Sequence, residues 1–331
     1  MSPDLTSTDT ETAGSAPDDE VVAWRRTLRG TLVAGRDWAA RVEGAPSDPD
    51  VVDPRGPFLT TDCPDPAAIT PALLRWSTRT ARPGRDARPC TPQQAARLVG
   101  ACRDHRIIGV LVAAVRASSL DPDDPLLDEL AAEHDHAMIV ALGLERLAVK
   151  ATSRLCDVGI PHRLLKGCAL ANASVARFCP DGSGSAERSF ADVDLLVPSG
   201  SVNAAVESLR DLACVAAPHR LGADFDDRFS KSVTLRTDEG FELDIHRTLA
   251  GGPWGFLVDP DTLWSEEGEV TVSGTSIPTF SRPVHTAHAV MHAALGAGPP
   301  RLVNLRDIVL LDGCLDDDER RRVREILSDW R

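Results

Sequence analysis

Two aspartates stand two residues apart inside an otherwise apolar, β-prone run, Phe190-Ala191-Asp192-Val193-Asp194-Leu195-Leu196-Val197. On a strand, residues i and i+2 point to the same face, about 7 Å apart along the backbone. Burying a lone carboxylate costs several kcal/mol or forces it to protonate, and a second carboxylate beside it raises that cost unless a cation lies between them. A chain with this run must therefore set the strand at a solvent-facing edge or hold a cation against it. Oxygen donors of this kind suit a hard divalent ion, Mg²⁺ first and Mn²⁺ as the alternative.

Composition narrows the field. The formal net charge is −14 over 331 residues, which argues against a broad basic footprint for long nucleic acid but not against a nucleotide held through a metal. None of the eight cysteines makes a C-x-x-C pair or a zinc-ribbon spacing, so they read as buried, reduced thiols of a cytoplasmic protein. No apolar run reaches membrane-spanning length, and the acidic N-terminus lacks the order of a signal peptide. Of the 36 lysines and arginines only Lys150, Lys166 and Lys231 are lysine, and tyrosine is absent. That bias fits a GC-rich bacterial coding sequence, in which a retained lysine draws notice.

Along the chain, residues 1–20 read as a disordered acidic tail and residues 21–155 as a mainly helical region. Within it, 21–43 has helical spacing, 44–90 is a Pro-, Asp- and Gly-rich connection, and Thr91-Pro92 is a helix start. Helical runs follow at 107–117 and 125–156. The character changes at Gly159. Strand candidates at 160–165, 191–197, 213–217, 230–236 and 241–246 alternate at first with helical patterns at 168–178 and 201–212. This order describes an α/β core over 156–280. From 281 to 331 the chain is helical again.

The core carries a constellation. In Phe241-Glu242-Leu243-Asp244-Ile245-His246, the residues Glu242, Asp244 and His246 share one face and the apolar three share the other. Alone this segment reads as an ordinary amphipathic strand; combined with Asp192 and Asp194, Asp244 reads as the third carboxylate of a two-metal site of the kind that clamps attacking and leaving oxygens in phosphoryl or nucleotidyl transfer, placed to take a proton from an acceptor hydroxyl. Upstream, a strand ending in Lys166-Gly167 and opening a helix aims backbone N–H groups at phosphate oxygens, with Lys166 adding a point charge.

The order Leu165-Lys166-Gly167, Arg188, Asp192-Val193-Asp194-Leu195-Leu196-Val197 and Asp244-Ile245-His246 resembles the nucleotidyltransferase superfamily with the DNA polymerase β-type palm. More closely it resembles the uncharacterised bacterial nucleotidyltransferase family, over residues 91–315. The resemblance implies an α+β fold, a palm of mixed β-sheet and flanking helices set between helical N- and C-terminal regions. It implies a metal-dependent transfer of a nucleotidyl group from an NTP. Asp192, Asp194 and Asp244 would hold the metal, and Lys166 and Gly167 would steer the phosphates of the nucleotide. Arg188 would contact phosphate or substrate, or pair with a local acid, and Lys231 on a nearby strand is a further candidate phosphate contact. The acceptor is a small molecule, peptide or protein that nothing in the sequence names. Cys168 stands where the superfamily turn has Gly or Ser, and the loop 181–189 lengthens the interval before Asp192. The altered turn keeps open a second reading, a non-catalytic palm acting as a binding or antitoxin-like regulatory module.

His285, His288 and His292 fall on one helical face. Without the glutamate of an H-E-x-x-H helix they read as packing or substrate contacts ahead of zinc ligands. Arg320, Arg321, Arg322 and Arg324 follow an acidic run and read as a solvated, ion-paired helix.

Overall fold

Thr91 and Pro92 open the first helix of the described residues, with proline where its missing N–H costs nothing and the Thr91 carbonyl accepting from Ala95 N at 2.9 Å. This computed structural model describes residues 91–116, 125–173, 188–216, 230–295 and 300–330. The expectations for 1–20, 21–43 and 44–90, and for most of the loop 179–189, lie outside the described residues. Helices α1 (Pro92–Asp104), α2 (Ile108–Arg116) and α3 (Pro125–Asp157) come first. The 33-residue α3 spans two cores. Leu126 and Leu130 near its start join α1 and α2 in one cluster. Leu144, Leu147 and Leu155 near its end join the sheet in another. Between them Ile139 and Leu142 are 67% and 60% exposed.

The sheet contains β1 (Arg163–Leu165), β2 (Asp192–Leu196), β3 (Cys214–Val215), β4 (Ser232–Arg236) and β5 (Glu242–His246) in the order β1-β2-β5-β4-β3. Only β2 and β5 pair in parallel; the other pairs are antiparallel. Helix α4 (Lys166–Asn172) follows β1 and α5 (Val202–Ser208) follows β2. Alternation divides the sheet cleanly. Leu164, Val193, Leu195, Leu243 and Ile245 pack against α3 and α5 in the larger core. On the opposite face Leu165 and Leu196 meet helices of the C-terminal region. The register places Leu165, Asp194, Asp244 and Thr234 in one row across four strands.

After the sheet come α6 (Pro260–Ser265) and a hairpin of β6 (Glu267–Val272) and β7 (Thr275–Phe280), and the C-terminal region contains helices α7 (Arg282–Leu295), α8 (Leu302–Cys314) and α9 (Asp317–Asp329). Helix α7 packs on α8 and α9. Asp316 and Glu319 form a reciprocal capping box at the start of α9, and its arginines pair with Asp317, Asp318 and Glu325 at i,i+3 spacing. No described helix is long and apolar enough to cross a membrane.

Some expectations are corrected. The hairpin and α6 were not anticipated, although Ser273-Gly274 is a two-residue turn between alternating strands, with φ of 46° and 80°. The helix expected at 201–212 ends at Ser208 and unwinds into turns. Cysteine burial is mixed. Cys102 and Cys168 are buried, but Cys156 and Cys214 are exposed, because they fall at the outer face of α3 and in the edge strand β3.

Gly274 has open space where a Cβ would sit. Gly274→Ala therefore tests left-handed strain without a steric clash. The expected loss is about 1–2 kcal/mol, read as a lowered midpoint in thermal unfolding followed by circular dichroism.

Candidate active site

Asp194 is 2% exposed, and a carboxylate so placed must find partners. Its Oδ1 accepts from Lys166 Nζ at 2.7 Å and from His246 Nε2 at 2.6 Å. Burial pushes this carboxyl up, but the lysine and the imidazole outweigh it and hold Asp194 well below the usual carboxylate range. Asp244 lies directly across the parallel ladder, and its Oδ1 accepts from Thr234 Oγ1 at 2.5 Å. Asp192, one register step away on the same face, has no side-chain hydrogen bond among the described residues. Burial, and then the neighbouring Asp194, push its carboxyl up.

This donor set suits a divalent cation. Ligand atoms of Asp194, Asp244 and His246 lie within 4.8 Å of one another, and Asp192 adds an uncompensated carboxylate beside them. His246 was not expected in this group, although it stands two residues after Asp244 on the same strand face. The α7 histidines form no such group among the described residues.

The other expected residues fall around this centre. Lys166 has a left-handed φ of 43°, which turns the chain sharply from β1 into α4. Gly167 is required by close packing, since a Cβ there would lie 2.7 Å from Phe190 Cβ and 3.2 Å from Arg188 Nη1. Lys231 lies beside Lys166 and feels Asp194 and Asp244. Burial, and then the Lys166 charge, lower it to about 8. So two of the chain's three lysines meet at the acid cluster.

Arg188 is committed elsewhere. Its Nε and Nη2 form a bidentate pair with Asp307 of α8, at 2.7 Å for the shortest contact. The side chains are 9% and 7% exposed. Asp307 gave no signal in the sequence, because nothing local links residues 119 positions apart.

A cleft of about 360 Å³ opens over Asp192, Asp194 and Lys166. Arg188, Arg301, Asn304 and Asp307 line it, with Arg106 contributed by the α1–α2 turn. His285, His288 and His292 of α7 also border it. Thr279 Oγ1 donates to the Leu164 carbonyl at 2.5 Å and so must accept from His285 Nε2, at 2.8 Å. That places a proton on Nε2 of His285 and ties β1, β7 and α7 together. Burial lowers His285 and His292 to about 4, and His288 well below its ordinary value.

A family model described as uncharacterised nucleotidyltransferase matches residues 91–331. No curated protein matches the chain. Among solved structures it is similar to the lincosamide antibiotic adenylyltransferase LnuA in its lincomycin-bound form, at 14% identity over 52% of this chain and 96% of that one, with a TM-score of 0.33. It is also similar to the antibiotic-resistance factor ANT(2'')-Ia, at 15% identity over 56% and 89%, TM-score 0.36. A third is an antigenic nucleotidyltransferase-like protein from Paracoccidioides brasiliensis, at 15% over 57% and 86%, TM-score 0.35.

Two predictions follow from this geometry. Breaking the Arg188–Asp307 pair from one side strands a buried charge. Arg188→Met and Asp307→Leu should each cost about 3–5 kcal/mol, and the double variant less than their sum. Denaturant unfolding measures all three. The α7 histidines set an acid limit. Unfolded histidines take up protons below about 6.5 while folded His285 stays neutral to about 4. Stability should therefore fall by up to about 1.4 kcal/mol per pH unit for each such histidine as pH drops through that window. Thermal melts from pH 7 to 5 should show the fall, and His285→Gln should flatten it.

Proposed function

The chain belongs to the uncharacterised nucleotidyltransferase family, and from that premise we propose a metal-dependent transfer of a nucleotidyl group from an NTP to a hydroxyl of its acceptor. The observation that carries this reading is the alignment of Asp192, Asp194 and Asp244 on one sheet face, with Asp192 and Asp194 lining the cleft. A divalent ion, Mg²⁺ or Mn²⁺, would be held by these three acids with His246 beside them, and would supply charge neutralisation at the reacting phosphate.

The chain's own groups account for the rest. His246 and Lys166 orient Asp194 and keep it ionised. Thr234 fixes Asp244 through one oxygen, leaving the other to take the acceptor's proton. The acceptor oxygen then bonds to the α-phosphorus, the α–β phosphoanhydride bond breaks, and pyrophosphate leaves with the electron pair. Lys166, and Lys231 beside it, would draw the β- and γ-phosphates. Gly167 lets the backbone approach closely, and Arg188 has Nη1 free of Asp307. The α7 face and Asn304 would shape the far wall against a small-molecule, peptide or protein acceptor.

Calorimetric titration of ATP, GTP, CTP and UTP, each with and without Mg²⁺, tests this. At least one should bind in a Mg²⁺-dependent way, with binding and transfer lost in Asp192→Asn and Asp194→Asn at retained circular dichroism. Binding that persists unchanged in both variants would sink the mechanism. No binding to the wild type would favour the non-catalytic palm.

A further inference from the structure

Helices α1 and α3 end in the same way. In α3, Ile160 N reaches Leu155 O and Gly159 N reaches Cys156 O, with Gly159 at φ 71°. This is the Schellman arrangement, in which glycine is the usual left-handed residue. In α1, Ile107 N reaches Cys102 O and Arg106 N reaches Arg103 O. Here the left-handed residue is Arg106, at φ 57°. A side chain at this position carries a backbone cost of about 1–2 kcal/mol, so packing alone would favour glycine.

The Arg106 guanidinium lines the cleft together with Arg301, which immediately precedes α8. The α1–α2 turn is pinned there, with Val303 N donating to the His105 carbonyl at 3.3 Å and Leu302 N to His105 Nδ1 at 3.4 Å. Neither arginine makes a side-chain hydrogen bond or ion pair among the described residues, whereas Arg188 in the same cleft is held by Asp307 through Nε and Nη2. Arg106 feels the repulsion of Arg301, and of the acids it feels Asp192 before Asp194. Two guanidiniums with no side-chain partner among the described residues thus line the same cleft, near enough for Arg301 to repel Arg106 and for Asp192 to attract it. The two lysines lie on the Asp194–Asp244 side of the acid cluster.

We propose that Arg106 and Arg301 form an oxyanion subsite that binds a phosphate or carboxylate group of the acceptor. The assignment to the acceptor rests on the nucleotidyl-transfer reading, because such a reaction needs two ligands flanking the acids and the lysines already serve the polyphosphate. Paired guanidiniums match oxyanions through forked, charge-assisted hydrogen bonds. The same pair repels a cationic acceptor.

The test is calorimetric titration of inorganic phosphate into the full chain, with and without saturating Mg·ATP, on wild type, Arg106→Gly and Arg301→Gln. Wild type should bind phosphate on top of Mg·ATP. Each variant should weaken that binding about tenfold or more while changing Mg·ATP affinity by less than about twofold. Arg106→Gly should melt no lower than wild type, because glycine relieves the left-handed φ. A purely structural Arg106 would show the reverse, lower stability with unchanged phosphate binding, and would overturn the proposal. So would wild type that binds no phosphate at about 10 mM. Loss of Mg·ATP affinity in both variants would assign the arginines to the triphosphate and overturn the acceptor subsite. If wild type binds phosphate through the arginines but no NTP, the anion site stands and the nucleotidyl-transfer reading falls.

Discussion

One carboxylate oxygen organises the cleft. Asp194 Oδ1 accepts from both Lys166 and His246 at a position almost sealed from water. An ionised carboxylate there would be prohibitively unstable alone. With two donors on a single oxygen it stays charged, and its second oxygen is left for another partner. The same contacts tie three elements together. Lys166 fixes the turn from β1 into α4, His246 fixes the end of β5, and Asp194 fixes β2 between them. Removing either donor would alter the charge of the group that all three strands converge on.

That convergence depends on register. In a sheet with both faces covered, a slip of one residue would exchange Asp192 and Asp194 for Val193 and Leu195. The larger core then receives two carboxylates and the cleft receives two aliphatics. The packing of Val193, Leu195, Leu243 and Ile245 against α3 and α5 therefore does more than stabilise the fold. It selects the register that sets Asp194 across from Asp244, so core and site are specified by alternate residues of the same two strands.

This coupling explains what could be read from the sequence. Strands β2 and β5 were legible because their carboxylates alternate with aliphatics, a local signal with the two-residue period of a strand. The turn at Lys166-Gly167 was legible from its place in the order of elements. The pairing of Arg188 with Asp307 was not, nor the approach of Arg301 to Arg106, because these depend on how α8 packs over the sheet and no local period encodes that. The β6–β7 hairpin was missed for a different reason. Its Ser-Gly turn and alternating flanks were present, but its outer face carries Glu267, Glu269 and Thr271, which dilutes the apolar signal of Val270 and Val272. His246 was read as a face neighbour of Asp244, and its role as a partner of Asp194 emerged only from the parallel pairing of β2 with β5.

Backbone strain points back to the same cleft. Among the described residues three non-glycine positions have left-handed φ, namely Arg106, Lys166 and Ser273. Ser273 sits in a hairpin turn that demands it. Arg106 and Lys166 both line the cleft, one on each side of the acid cluster. A left-handed residue reverses the chain abruptly and throws its side chain away from the course of the element it ends, so each cation is delivered from a rigid helix or strand terminus. The contrast between Gly159 and Arg106 makes the point sharply, since identical hydrogen-bonded caps close α3 and α1 and only the one facing the cleft bears a charge. Strain of this kind persists where surrounding structure over-determines the conformation and the side chain has work that glycine cannot do. The positive charge around the acids is therefore placed by the backbone as much as by the choice of side chain.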